Sequence, residues 1–144
     1  MHNKLNLNRY VPALVTFTAN KLSVSAAKTY KNQFNTTLTE FRIMSMLAVE
    51  PNINAQRIIE YVGLDKAGVS RNIKTMQEKG LLTVNTDPND LRSICLTDTG
   101  YELNDQIMQV ALEREQKLLA NLNHMEIENL IYLLNLLHKN ASSV

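Results

Sequence analysis

Apolar residues recur every three or four positions along most of the chain, which is the spacing of helices that bury one side. Between residues 81 and 97 the pattern changes to two short β-prone runs, 81–86 and 93–96, around the turn Asp87-Pro88-Asn89-Asp90. The predicted helices cover residues 9–34, 38–50, 55–62, 66–79, 98–121 and 123–139. The pattern therefore predicts a mainly α-helical protein with one small β-hairpin.

The segment 54–97 has the element order of a winged helix-turn-helix. Asn54 is placed to cap a first short helix, Gly63 ends that helix, and Asp65 is placed to cap a second one. The hairpin follows directly and forms the wing. Two helices joined by a short glycine turn cross each other, which leaves the outer side of the second helix free to enter a DNA major groove.

The second helix of this segment has one apolar stripe, formed by Val69, Ile73 and Met76. At about 100° per residue, the side away from this stripe is small or basic near the helix start. The residues on that side are Lys66, Ala67, Gly68, Ser70, Arg71 and Lys74. Ordinary packing of two helices explains the stripe but not the basic side, so the pattern favours DNA binding.

Caps are also predicted at three other helix starts. Thr39 is expected to cap the helix over 38–50, and Thr97 the helix that follows the hairpin. Asn123 opens the last helix, with Glu126 three residues later as its capping-box partner.

The last helix is apolar on most of its circumference, which predicts that another surface covers it. The residues responsible are Ile127, Leu130, Ile131, Leu133, Leu134, Leu136 and Leu137. A terminal helix in a chain of 144 residues has little protein to pack against. The sequence therefore favours a homodimer over a monomer with this helix in its own core.

The net charge of +1 does not by itself indicate a nucleic-acid partner, but the charges are unevenly distributed. Residues 1–53 hold six Lys or Arg against two Asp or Glu, and residues 54–97 hold six against five. Residues 98–144 hold three against seven. Opposite charges on the two ends indicate that the ends pack together with the acidic side away from DNA, while chance surface charge is the alternative.

The sequence predicts a cytoplasmic protein. No apolar run approaches the roughly 20 residues of a membrane span, and the first residues lack the apolar core of a signal peptide. Cys95 is the single cysteine, which excludes an internal disulfide and fits a reducing compartment. In the return strand of the hairpin we expect Cys95 to be a small buried apolar side chain, the alternative being a redox switch.

Several short motifs resemble those of the MarR family of bacterial transcriptional regulators, and the resemblance covers nearly the whole chain. The motifs are Leu38-Thr39, Val69-Ser70-Arg71, Glu78-Lys79-Gly80-Leu81, Asp87-Pro88-x-Asp90-x-Arg92 and Leu96-Thr97-x-x-Gly100. The resemblance implies one MarR-type domain over residues 1–144, with a winged helix-turn-helix core at 54–97. It also implies a homodimer joined through helices in 9–34 and 98–139, which binds a palindromic operator and is expected to be a repressor.

The resemblance also assigns residue roles. Ser70, Arg71 and Lys74 would lie on the recognition helix, Arg92 would enter the minor groove from the wing, and Asp90 would support the wing. Thr39, Asn54 and Gln56 are further candidates for contacts to DNA. This sequence departs from the family in its wing, where Thr83, Asn85 and Leu91 are neutral, and at Gly68, where a hydroxyl residue is common.

The neutral wing and the balanced charge keep a second class of function open, a winged-helix module that binds other proteins and not DNA. A cysteine-based redox sensor is a further alternative. An enzyme is not expected, because the chain has neither a glycine-rich phosphate loop nor a nucleophile motif.

No cofactor or metal is expected either. His2, His124 and His138 lie far apart in the sequence, and one helix joining the last two would hold them about 21 Å apart. Family members commonly bind small aromatic or anionic effectors near the dimer helices. The candidates for such a site here are Tyr10, Phe17, Tyr30, Phe34 and Arg42, with ordinary core packing as the alternative for each aromatic residue.

Overall fold

The computed structural model describes residues 1–144 and contains six α-helices and one antiparallel two-stranded sheet. The elements are α1 Val11–Phe34, α2 Leu38–Val49, α3 Ala55–Val62, α4 Lys66–Glu78, β1 Leu82–Thr86, β2 Arg92–Leu96, α5 Asp98–Leu118 and α6 His124–Ala141. The predicted fold class, mainly α with a β-hairpin wing, is confirmed. The predicted element bounds agree with the observed ones to within a few residues.

The chain divides into two compact units, Met1–Met108 and Gln109–Val144. All fully buried side chains belong to the first unit, and none belongs to the second. The single domain over residues 1–144 that the sequence favours stays a prediction.

Helix α2 supplies the centre of the core in the first unit. Its Ile43, Met44 and Leu47 are completely buried, and it contacts α1, α3, α4 and β2. Ile58 of α3 is also completely buried, as is Ile107 of α5. Helices α3 and α4 and the hairpin therefore all pack on α2.

Four of the five predicted helix caps are confirmed, and one of them is Asp65 on α4. The Asn54 side chain accepts a hydrogen bond from the Arg57 backbone N–H at 3.0 Å, and Asn123 forms the expected capping box with Glu126. Thr97 accepts from the Gly100 N–H at 3.1 Å. The fifth expected cap, Thr39 on α2, is wrong. Thr37 caps that helix, because Glu40 stands three residues after Thr37 and closes a capping box with it.

The hairpin pairs Leu82 with Leu96 at its base and Thr86 with Arg92 at its tip. A third segment joins its base, because the Ile94 N–H donates to the Ile53 carbonyl at 2.7 Å just before α3. This bond fixes the wing to the loop that leads into the helix-turn-helix.

Cys95 lies on the polar side of the hairpin, so the prediction that it is buried is wrong. Alternate residues of a strand face opposite ways, and buried Ile94 and Leu96 place Cys95 on the other side. Its sulfur lies 3.3 Å from Thr83 Oγ1 and 3.6 Å from Asn85 Nδ2, and the side chain is half-buried. Cys95 therefore belongs to a small polar cluster.

The start of α5 is fastened to the end of α4 by one threonine. Thr97 Oγ1 donates to the Gly80 carbonyl at 2.6 Å, and the Thr97 N–H donates to the Leu81 carbonyl at 3.1 Å. Gly100, in the first turn of α5, packs directly on Leu81. A side chain at position 100 would overlap the Leu81 carbonyl group, so this approach requires glycine.

Candidate nucleic-acid interface

The turn between α3 and α4 sets the second helix across the first. Gly63 ends α3 in the left-handed region at φ 75°, a conformation that glycine adopts without strain. Asp65 then caps α4 and accepts from the Gly68 N–H at 2.7 Å. The apolar stripe Val69, Ile73 and Met76 is buried as predicted. The opposite side of α4 consequently faces outward.

Five of the six residues predicted on the outer side of α4 are exposed. They are Lys66, Ala67, Ser70, Arg71 and Lys74. The sixth, Gly68, is buried, so its expected place on the exposed side is wrong, while a contact of Gly68 with DNA stays a prediction. A Cβ atom at this position would lie 2.8 Å from the Asp65 carboxylate oxygen, so glycine there lets the cap close on the helix.

Two adjoining clefts separate the helix-turn-helix from the wing. One, of about 680 Å³, lies between the start of α3, the start of α4 and the wing tip. The other, of about 430 Å³, lies between the second half of α4 and the hairpin. Ala55, Ser70 and Arg92 line both clefts, so Ser70 and Arg92 mark the boundary between them.

The clefts bring most of the predicted site residues together. Asn54, Gln56 and Lys66 line the first cleft, and Lys74 lines the second. Arg71 lies on the exposed side of α4 outside both clefts, and Thr39 is half-buried in the first turn of α2. Sequence reasoning missed Asn52, Gln77 and Thr86, which line the clefts from three different elements.

The Asp87 side chain holds the wing turn, and Asp90 takes part in that turn through its backbone. The Asp87 carboxylate accepts from the backbone N–H groups of Asn89 and Leu91 at 2.9 and 2.8 Å. Asp90 has a left-handed backbone with φ 61°, and its N–H donates to the Asp87 carbonyl at 3.0 Å. Asp90 therefore contributes through its backbone, and its side chain forms neither a hydrogen bond nor an ion pair.

The basic residues of the interface are free of acidic partners. Ion pairs join Arg57 with Glu50 and Lys79 with Glu40, and neither pair includes Lys66, Arg71, Lys74 or Arg92. The first cleft also contains the carboxylates of Asp87 and Asp90. The positive charge at this surface thus comes from α4 and from Arg92 at the tip of the wing.

Arg57, beside Asn54 and Gln56 at the start of α3, is held by Glu50. Two hydrogen bonds join the guanidinium to the carboxylate, at 2.7 and 2.9 Å. They lower the pKa of Glu50 and raise the pKa of Arg57. Because both side chains are exposed, this pair organises the loop between α2 and α3 more than it stabilises the fold.

The structure does not gather the effector candidates around the clefts. Tyr30 is buried, with its ring edge-on to Phe41 at a centroid distance of 5.1 Å, so it belongs to the core. Tyr10, Phe17 and Arg42 are exposed, and Phe34 is half-buried. None of these five residues lines either cleft.

Two further classes of site find no support in the geometry. No group of three or more His, Cys, Asp or Glu side chains is placed to bind a metal ion. No helix combines the length and the apolar character needed to cross a bilayer.

Comparison with known proteins places this architecture in one family. The MarR family model matches residues 34–93. A MarR/EmrR family transcriptional regulator from Acinetobacter sp. ADP1 has a crystal structure with 34% identity and a TM-score of 0.88, covering 97% of this chain and 100% of that one. The S. aureus MepR–DNA complex has 20% identity and a TM-score of 0.81, covering 95% of this chain and 99% of that one.

A curated relative agrees with these matches. It is a Thauera aromatica protein described as a transcriptional regulator for the hcr operon, 26% identical over 104 residues. The match covers 71% of this chain and 63% of that protein's own length. The match to the Acinetobacter regulator covers that protein's full length, including the helix-turn-helix and the wing. The chain therefore belongs to the MarR family of DNA-binding transcriptional regulators.

Proposed function

We propose that this protein is a repressor that binds a palindromic operator as a cytoplasmic homodimer. The outer side of α4 enters the major groove, and Arg92 of the wing enters the adjacent minor groove. The observation that carries this proposal is the set of basic side chains on α4 and β2, which are exposed and have no acidic partners. Such charges are available to phosphates and to the acceptor atoms of guanine.

Within this proposal the contacts divide into two kinds. Arg71, Lys74 and Ser70 face base edges, whereas Lys66 and Ala67 stand at the start of α4, whose backbone N–H groups favour a phosphate. Asn54, Gln56 and Thr39 are near the starts of α3 and α2 and are assigned to the DNA backbone. Asn54 uses its side-chain oxygen for its own helix cap, which leaves the amide nitrogen for DNA.

The family resemblance extends the proposal to release of DNA by a small aromatic or anionic molecule. The side chains of Tyr10, Phe17 and Arg42 are exposed and could contact such a molecule, whereas Tyr30 is buried against Phe41 in the core.

Selection of bound fragments from the source genome tests the DNA-binding part. We expect enrichment of an inverted repeat whose half-site centres lie about 10 base pairs apart or a multiple of that distance. A scrambled duplex should bind at least about a thousandfold more weakly at physiological salt. No enrichment, together with capture of the protein by another protein, would instead support the interaction-module alternative.

The assembly part of the proposal rests on α6, which has no buried side chain of its own. Six of its apolar residues, Leu130, Ile131, Leu133, Leu134, Leu136 and Leu137, are 37–49% exposed. Apolar surface on nearly every side of a helix needs a cover, and a second copy of the chain supplies the same surface in return.

We expect a homodimer at micromolar concentration, with a mass in light scattering of twice the chain's 16.4 kDa. Replacing both Leu133 and Leu137 with aspartate should remove the dimer and give aggregated or unfolded chain, because two charges would face the apolar contact. Asn140→Asp adds one charge at an exposed position of the same helix and should leave the mass unchanged. A wild-type mass near 16.4 kDa at every dilution would contradict the dimer.

A further inference from the structure

A buried carboxylate outside the interface holds the end of the recognition helix. Glu40 in the first turn of α2 is 3% exposed, and its Oε2 accepts from the Thr37 N–H at 3.2 Å. The Lys79 ammonium donates to both Glu40 oxygens, at 3.0 and 3.1 Å. Lys79 is the C-cap residue of α4. This ion pair therefore fastens the C-terminal end of α4 to the start of α2.

The same ammonium also reaches α1. Lys79 Nζ donates to the carbonyl oxygen of Asn35 at 3.3 Å, and Asn35 is the C-cap residue of α1. The carbonyl end of a helix carries partial negative charge, so a cation suits this position. We name the contacts of Lys79 with Glu40 and Asn35 the Lys79 bridge. It joins the ends of α1 and α4 and the start of α2 at a single atom.

We propose that the Lys79 bridge sets the angle between α1 and α4, and thereby the half-site spacing that the dimer selects. This inference rests on the proposed function, in which α1 belongs to the dimer contact and α4 reads the major groove. A 13-residue helix is about 20 Å long, so a tilt of about 10° moves its far end by about 3.5 Å. That displacement is close to one base-pair step of about 3.4 Å.

A purely stabilising role does not account for the arrangement. The Glu40 side chain is 4% exposed and the Lys79 side chain 35%, so the carboxylate loses most of its water while the ammonium keeps part of its own. The attraction between the two charges is therefore largely offset by the lost hydration of Glu40 and by solvent screening at Lys79, and the pair contributes little net stability. What it does provide is a fixed geometry, since Glu40 is satisfied only when Lys79 and Thr37 occupy their places together. The bridge thus acts as a positioning contact that does not itself touch DNA.

The test measures spacing preference with four variants. Lys79→Met removes the ammonium but leaves the buried Glu40 charge unpaired. The double variant Glu40→Gln/Lys79→Met removes both charges and keeps a side chain that can close the capping box. Lys79→Arg keeps the cation, and Lys28→Met removes an exposed positive charge of α1 as the matched control. Should Lys79→Met alone fail to fold, the double variant carries the test.

Each folded, dimeric variant is titrated with the selected operator and with versions that have one base pair inserted or removed between the half-sites. A one-base-pair change alters both the separation and the rotation of the half-sites. Wild type, Lys28→Met and Lys79→Arg should distinguish the spacings by about tenfold or more, and the double variant by about threefold or less. Discrimination between base substitutions within a half-site should stay unchanged, because the outer side of α4 is intact.

A double variant that keeps the wild-type spacing preference would show that the bridge only stabilises the fold, and would overturn the inference. A wild-type protein that binds the operator without any spacing preference would overturn it as well. A wild-type protein that enriches no sequence at all contradicts the proposed function itself, so the two failures are distinguishable.

Discussion

Replacing Gly100 with alanine is expected to destabilise the protein by about 3 kcal/mol or more, because the added methyl group has no space. A Cβ atom at this position would overlap the Leu81 carbonyl oxygen and approach the Leu81 carbonyl carbon at 3.0 Å. The obstacle is backbone, so no side chain can rotate away. The same Leu81 carbonyl accepts the Thr97 N–H, so a shift that relieves the overlap also disturbs the start of α5.

Urea unfolding followed by circular dichroism measures this change, with Gly80→Ala as the control. Gly80 has φ 73°, and a Cβ atom there would meet nothing within 4 Å. The control therefore isolates the cost of a left-handed backbone, about 1–2 kcal/mol, from the cost of overlap. If Gly100→Ala proved no less stable than Gly80→Ala, the close contact between Gly100 and Leu81 would be wrong.

The sequence predicts the fold well because its signals are local. Asn54, Asp65 and Asn123 act as caps, as each bonds a backbone group only three residues away. The order of helices and strands follows from apolar spacing, and Gly63 marks the turn. None of these features depends on residues distant in the sequence.

At two positions the sequence holds a signal that points to the residue whose side chain makes the observed hydrogen bond. Thr37, and not Thr39, stands three residues before Glu40, which is the spacing of a capping box. In the wing, Asp87 opens the turn, and an aspartate at that position bonds the N–H two residues later. In both cases two residues of one type lie close together, and hydrogen-bond geometry selects between them.

The candidate site was less predictable, because it joins elements that are distant in the sequence. Asn52, Gln77 and Thr86 line the clefts only because the loop before α3, the end of α4 and the hairpin come together. In the Lys79 bridge, Lys79 likewise contacts Glu40 and Asn35, which lie 39 and 44 residues before it in the sequence. Helical spacing shows which side of α4 is exposed, but it does not show which residues of other elements lie next to that side.

Replacing Arg71 with alanine is expected to weaken operator binding and to flatten the preference among operator variants. Arg71 lies on the exposed side of α4 and has no acidic partner, and in the proposed function it contacts guanine. A good arginine–guanine pair contributes about 1–3 kcal/mol of discrimination. A dimer makes two such pairs, so removing both should lower the affinity for the operator by at least about thirtyfold. The affinity for a scrambled duplex should change much less.

Arg92→Ala separates readout of bases from general attraction to DNA. Arg92 is the only arginine of the wing, and its charge favours a narrow A·T-rich minor groove. Its removal should weaken binding with little effect on major-groove specificity, and should lower the salt slope by about 1 for each phosphate that the dimer no longer neutralises. Titrations of wild type, both variants and the control Arg9→Ala on operator and scrambled duplex, at several salt concentrations, measure both effects. If Arg71→Ala bound the operator as tightly as wild type does, the readout would belong to Ser70 or to α3.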